Sequence, residues 1–185
     1  MKYLKKYGST VILLIILAIL FVPSWRISFQ GWFQGLWMSD IEFNTSSADP
    51  LAPATQLWNL TNMDGEESLF STYNDKPIIL SFWATWCPSC RAELAQLKSL
   101  QEEFKNKIHF IAVSEESIET IEQSKLADKY DFLYTTSYFP KDFAIKFYPT
   151  LCIINKEITL SRFEGAGEIV TDNNRAFLNN LIENK

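Results

Sequence analysis

The stretch "PIILSFWATWCPSCRAELAQLKSLQEEFK", residues 77–105, decides the fold. Residues 77–84 form an apolar run broken only by Ser81, which reads as a strand buried on both faces. From Leu94 the period changes. Leu94, Leu97, Leu100 and Phe104 recur three and four residues apart, so an amphipathic helix runs to about Lys105. The turn between the two holds Cys87-Pro88-Ser89-Cys90, with two of the chain's three cysteines.

The place of that pair matters more than its spacing. Free backbone N–H groups and the positive dipole end at a helix N-terminus favour a thiolate. Cys87 falls at or before the first turn and is expected to be the acidified, accessible thiol. Cys90 lies one turn on, on the same side and more buried, within reach of Cys87. Pro88 sits early in the helix, where its missing N–H costs little. Such a pair can exchange disulfides. The Cys87 thiolate attacks a partner disulfide, and Cys90 resolves the mixed disulfide; run backwards, the pair oxidises a dithiol.

Other readings of the cysteines are weaker. Structural zinc wants about four ligands. Only Cys152 and His109 are left to supply them, each inside an expected strand. Two inert core thiols are the bland alternative. Peroxidase chemistry would want Thr or Ser three residues before the attacking cysteine, and Ala84 stands there. Cys152 reads as a core thiol and His109 as a strand residue with a partner. Three cysteines are too few for a disulfide-stapled scaffold. The dithiol needs no cofactor and no metal.

Working outward, "TQLWNLTNMDGEESLF" reads as a strand, an Asp64-Gly65 turn and a second strand or short turn. "IHFIAV", 108–113, is another buried strand. Ser114 is placed to cap a helix over about 115–130, with Glu116, Glu119, Glu122 and Lys125 on its wet side. "FLYTTS" is a short strand or loop, and a short helix is expected over 140–146. "YPTLCIINKEITLSRFEG" reads as an antiparallel hairpin turning at Asn155-Lys156. A last helix begins near Thr171. The order predicts an α/β domain over 55–185, with a mixed sheet and helices on both faces.

The N-terminus is different. Residues 1–26 carry Lys2, Lys5, Lys6 and Arg26 and no acid, about +4 of a net charge of −5. Lysines precede "VILLIILAILFV", and residues 7–25 hold no charge. That is close to the ~20 residues that span a bilayer, and the lysines favour a cytoplasmic N-terminus with an exported body. A cleaved signal peptide competes, but no small-residue cleavage site follows. The aromatic stretch 25–43 reads as an interfacial helix or as packing against the body. Residues 44–54 read as a tether, completing a linker over 27–54. The acidic remainder argues against nucleic-acid binding.

With these residues in view, the chain resembles membrane-tethered, thioredoxin-like proteins of the TlpA/ResA type. "FWATWCPSCRAEL", "FYPT" with "CIINKE" after it, and the "MDG…DKPIILSFWA" lead-in carry the resemblance over about 55–185. It implies a thioredoxin-like fold and an extracytoplasmic thiol–disulfide oxidoreductase on the bacterial cytoplasmic membrane. It implies protein thiol or disulfide substrates, apocytochrome c among the candidates, and a membrane electron donor of the DsbD/CcdA kind. Pro149 matches a cis-proline that lies against the cysteines, flanked by Tyr148 and Thr150. Trp86 matches an aromatic beside the attacking cysteine, and Trp86 and Pro88 join the substrate-facing set. Glu93 matches a glutamate that moves protons and tunes the thiols; a solvated helix acid is the alternative. Ser81 departs from thioredoxins proper, which carry an acid there, so proton transfer falls to Glu93 or water. Pro88-Ser89 lacks the histidine of strongly oxidising DsbA-like centres. An oxidase or isomerase, or a tethered redox-sensing binding module, remains open.

Overall fold

A computed structural model describes residues 40–45, 49–156 and 158–183. The expected membrane span at 7–25 and interfacial segment up to 39 lie outside them. Among the described residues, no helix is long and apolar enough to cross a membrane.

The strand expected around Ser81 forms as β4, Ile78–Phe82, preceded by β1 (Asp49–Pro50), β2 (Asn59–Asn62) and β3 (Glu67–Leu69). It is followed by β5 (His109–Ser114), β6 (Leu133–Thr135), β7 (Thr150–Asn155) and β8 (Ile158–Glu164). The helices are α1 (Pro53–Gln56), α2 (Pro88–Glu103), α3 (Ile118–Gln123) and α4 (Asp172–Glu183). The described strands form one sheet in the order β1-β8-β7-β4-β5-β6-β2-β3. β4, β5 and β6 run parallel, and β4 pairs antiparallel with β7. The sheet is therefore mixed, as the sequence pattern implies.

The alternation of β4 divides the core. Ile78, Leu80 and Phe82 enter one cluster; Ile79 enters the other, where Leu94, Leu97 and Leu100 of α2 and Leu178 of α4 pack. Ile121 of α3 joins that second cluster too. All three longer helices thus share one face. The opposite face is closed by α1 and by two 3₁₀ turns carrying Phe70 and Phe143. Aromatic bulk replaces a long helix there. Trp58, fully buried, lies between Phe70, Phe82 and Phe143 at ring distances of 5.5, 6.2 and 5.7 Å. Burying each such ring contributes about 2–3 kcal/mol.

Three local expectations shift. The helix expected over 115–130 shrinks to α3. Ser114 remains the last residue of β5, and its hydroxyl is engaged with Glu116. Ser117 caps instead, accepting from the Thr120 N–H. Ser124 then donates to the Ile121 carbonyl, and Lys125 turns into the left-handed region (φ 58), which stops the helix. The helix expected at 140–146 is a single 3₁₀ turn, Lys141–Phe143, ended by left-handed Ala144. Asn155, expected in the hairpin turn, is instead the last residue of β7 and pairs with Ile158.

The tether reading of 44–54 also gives way in its second half. Asp49 and Pro50 pair with β8, Leu51 is buried, and the Ala52 N–H donates to Asp142 Oδ2 at 2.7 Å. The body reaches further forward than residue 55. Phe43 packs against Phe163 and Phe177, and fully buried Asn174 holds it there. Asn174 accepts from the Phe43 N–H (2.7 Å) and donates to the carbonyls of Ile41 (2.7 Å) and Ile169 (2.9 Å).

Candidate active site

β4 ends at Phe82 and α2 begins at Pro88, so the five residues between them set the site. Cys87 is the N-cap of α2, and its Sγ accepts the Cys90 N–H at 3.2 Å. A donor that a helix leaves unpaired is thus aimed at sulfur. Ser89 Oγ lies 3.4 Å from the same sulfur. Cys87 and Cys90 are joined in a disulfide, with Cα atoms 5.3 Å apart. Cys90 is fully buried and Cys87 is 4% exposed. The order of accessibility is as expected, but Cys87 is far less open than an exposed thiol.

The loop before the pair is clamped from two sides. Glu116 accepts from the Thr85 N–H (2.6 Å) and from the Thr85 hydroxyl (2.7 Å). The Arg91 guanidinium donates twice to the Thr85 carbonyl, at 3.2 and 2.9 Å. Glu116 was expected on a wet helix face. It is instead half-buried in the turn after β5. No local pattern ties Thr85 to a carboxylate 31 residues on, so sequence reading misses it.

Glu93 is not a solvated acid. It is fully buried in the second turn of α2 and accepts from Ser81 Oγ at 2.6 Å. Its Oε2 has no hydrogen-bond partner among the described residues. Burial pushes its carboxyl up to about 7 against the lowering effect of the Ser81 bond. The signal was present in the spacing: Cys90, Glu93, Leu97, Leu100 and Phe104 make one helical stripe. Ser81, where thioredoxins keep an acid, serves as the donor to one.

On the outer side, Trp86 is 69% exposed and meets Tyr148 edge to face at 5.7 Å. Pro88 is half-buried at the first position of α2. The Tyr148–Pro149 bond is cis, and Pro149 is buried with its carbonyl taken by the Gly165 N–H (2.8 Å). Thr150 corrects the substrate-facing expectation. It is fully buried, and its hydroxyl donates to the Phe147 carbonyl at 2.8 Å, so it props the turn instead of offering surface. Cys152 points into the opposite core cluster from the cysteine pair, and burial pushes its thiol up to about 12. His109 pairs with Asp75 at 2.6 Å at the other end of the sheet from the cysteines.

Residues 51–162 match the AhpC/TSA family. The chain belongs to that family. Over 106 residues it is 32% identical to the thioredoxin-like protein YneN of Bacillus subtilis, covering 54% of this chain and 62% of that one. It is 33% identical over 85 residues to the thiol-disulfide oxidoreductase ResA of Oceanobacillus iheyensis, covering 45% of this chain and 44% of ResA. The matches thus span about half of these relatives' lengths. Among solved structures, a thiol:disulfide interchange protein of the thioredoxin family from Chlorobium tepidum superposes with a TM-score of 0.57 at 17% identity. That superposition covers 74% of this chain and 98% of the other, and it shows the thioredoxin-like fold. Over the matched residues the chain is thus similar to ResA proteins as well as to YneN.

Proposed function

We propose that the chain is a membrane-tethered thiol–disulfide oxidoreductase that reduces disulfides in exported proteins. The observation that carries this reading is Cys87 at the N-cap of α2, more accessible than Cys90 and receiving its N–H. The reduced pair starts the cycle. The Cys87 thiolate attacks one sulfur of the substrate disulfide, forms a mixed disulfide and expels the other sulfur as a thiolate, which takes up a proton. Cys90 then attacks Cys87 Sγ. The Cys87–Cys90 disulfide forms, the second substrate thiol leaves, and two electrons have passed to the substrate.

Glu93 supplies the proton step. It lies three residues beyond Cys90 on the same helical face, and both are fully buried. A carboxyl poised near neutrality can take the Cys90 proton as that thiol becomes a nucleophile. Trp86, Tyr148 and Pro149 form the wall against which the substrate strand lies.

Lys2, Lys5 and Lys6 before the uncharged run 7–25 support a signal-anchor with the domain outside the cytoplasm. That compartment is oxidising. The spent disulfide therefore needs a dithiol donor in the membrane, of the DsbD/CcdA kind, and apocytochrome c is a fitting client.

Insulin reduction by the full-length chain tests the mechanism. Cys87→Ala abolishes it, and Cys90→Ala accumulates mixed disulfides; full activity in the Cys87 variant refutes the assignment. A Cys87–Cys90 reduction potential near about −270 mV supports reduction, and one near about −120 mV makes the chain an oxidase. Capture of a partner without turnover makes it a binding module.

A further inference from the structure

The aromatic wall beside the cysteines does not stop at Tyr148. Tyr148 meets Phe139 edge to face at 6.4 Å, and Phe139 and Tyr138 border a cleft of about 500 Å³. Pro140, Ala144 and Ile145 complete its apolar lining. Tyr138 is half exposed, and the Trp58 indole holds it in place by donating to its carbonyl at 3.0 Å. The cleft is therefore built on the rigid aromatic core.

Its lining carries one acid and two lysines. Glu115 lines the cleft and lies within electrostatic reach of Tyr148, the ring that meets Trp86. Glu116 beside it is committed to Thr85. Lys141 and Lys146 line the same cleft from the 3₁₀ turn and the segment after it. The ring steps of 5.7 and 6.4 Å from Trp86 to Phe139 cover at most about 12 Å. An extended chain covers that in three to four residues at ~3.3 Å each.

We infer that this cleft is a substrate-selecting subsite for an extended polypeptide. The segment it takes carries an aromatic or large aliphatic side chain three to four residues from the reacting cysteine, with a basic residue between them facing Glu115. The cleft buries the apolar side chain, and Glu115 favours the basic one over an acid. The assignment rests on the reductase reading above and narrows its substrate class.

The test uses the reduced full-length chain and symmetric disulfide dimers of short peptides, Cys-Gly-Lys-Gly-Phe and its reverse. Controls carry Ser for Phe or Asp for Lys. Each turnover converts the chain's dithiol to its disulfide and one peptide dimer to two thiols. Neutral bis(2-hydroxyethyl) disulfide, too small to reach the cleft, reports the chemistry alone. In at least one chain direction, the second-order rate constant for oxidation of the chain's dithiol by the Phe–Lys peptide dimer is expected to exceed that of each control about tenfold. Tyr138→Ser removes the Phe preference and Glu115→Lys reverses the Lys-over-Asp preference. Both variants keep reduction of the small disulfide within about twofold. Normal reduction of the small disulfide with equal rates for all peptides overturns the cleft assignment and leaves the reductase reading standing. Failure to reduce even the small disulfide overturns both. Concentration-dependent self-association that Tyr138→Ser abolishes, without any peptide preference, gives the cleft to a second copy and overturns the proposal.

Discussion

Glu93 makes the stability of the domain depend on pH in a direction that can be worked out. Burial raises its carboxyl from the ordinary 4.5 to about 7 in the folded chain. Between those values the folded state holds a proton that the unfolded state has lost. Stability therefore falls as pH rises through this window, and it levels off above about 7, where both states are ionised. At ~1.4 kcal/mol per pH unit, the fall amounts to roughly 3 kcal/mol. Glu93 is fully buried, so solvent screening does not reduce it. The assay is urea unfolding of the oxidised chain from about pH 4.5 to about pH 8.5, followed by tryptophan fluorescence, for the unaltered protein and for Glu93→Gln. The amide has nearly the same shape and cannot ionise. Subtracting the two curves cancels every other titrating group. The variant should gain about 3 kcal/mol on the unaltered chain across the window. Ser81→Ala removes a donor that favours the charged carboxylate, so the fall should extend to higher pH. Parallel curves for the unaltered chain and the Glu93→Gln variant, or a rise of the unaltered chain's stability from about pH 4.5 to about pH 7, would refute the reasoning.

Asn174→Ala should cost about 2–4 kcal/mol in urea unfolding, because it strands the Phe43 N–H and the Ile41 and Ile169 carbonyls at once. Hydrogen exchange at 40–45 should speed up more than at β4; uniform acceleration would contradict the pinning role. Cys152 is fully buried with its thiol pushed up to about 12, so iodoacetamide at about pH 8 should leave the native oxidised chain unlabelled. In urea one equivalent should add per chain, and ready labelling before unfolding would show the strand to be open.

The parts of the fold that were legible in the sequence are those whose signal is local. The change from an apolar run to a three-four spacing marks β4 and α2, and the dithiol at their junction follows from the position of a helix N-terminus. The Thr171 hydroxyl, which accepts from the Asn174 N–H, opens the last helix where it was read. What was not legible depends on partners far along the chain. The α3 pattern continues past Gln123 in sequence, but Ser124 and Lys125 end it through backbone geometry that apolar spacing does not encode. Glu116 looks like any helix-face acid until the β4 and β5 ends bring it against Thr85. Residues 49–54 are proline-rich and lack a strand-like apolar alternation, yet the open edge of β8 gives their backbone a partner. The covering of the second sheet face by Trp58, Phe70 and Phe143 escaped because scattered aromatics have no period.

The stitch between Phe43 and Asn174 joins residues 131 positions apart. It also fixes where a mechanical load would go. A pull on the chain at residue 40 meets the Asp40–Glu168 bridge and the Asn174 side chain first, and both pass it to α4 and the segment before it. Gln96 of α2 holds that same segment, accepting from the Ile169 N–H at 2.7 Å and donating to the Gly167 carbonyl at 3.0 Å. A load at the leading end is thus shared between α4 and the helix that carries the cysteine pair.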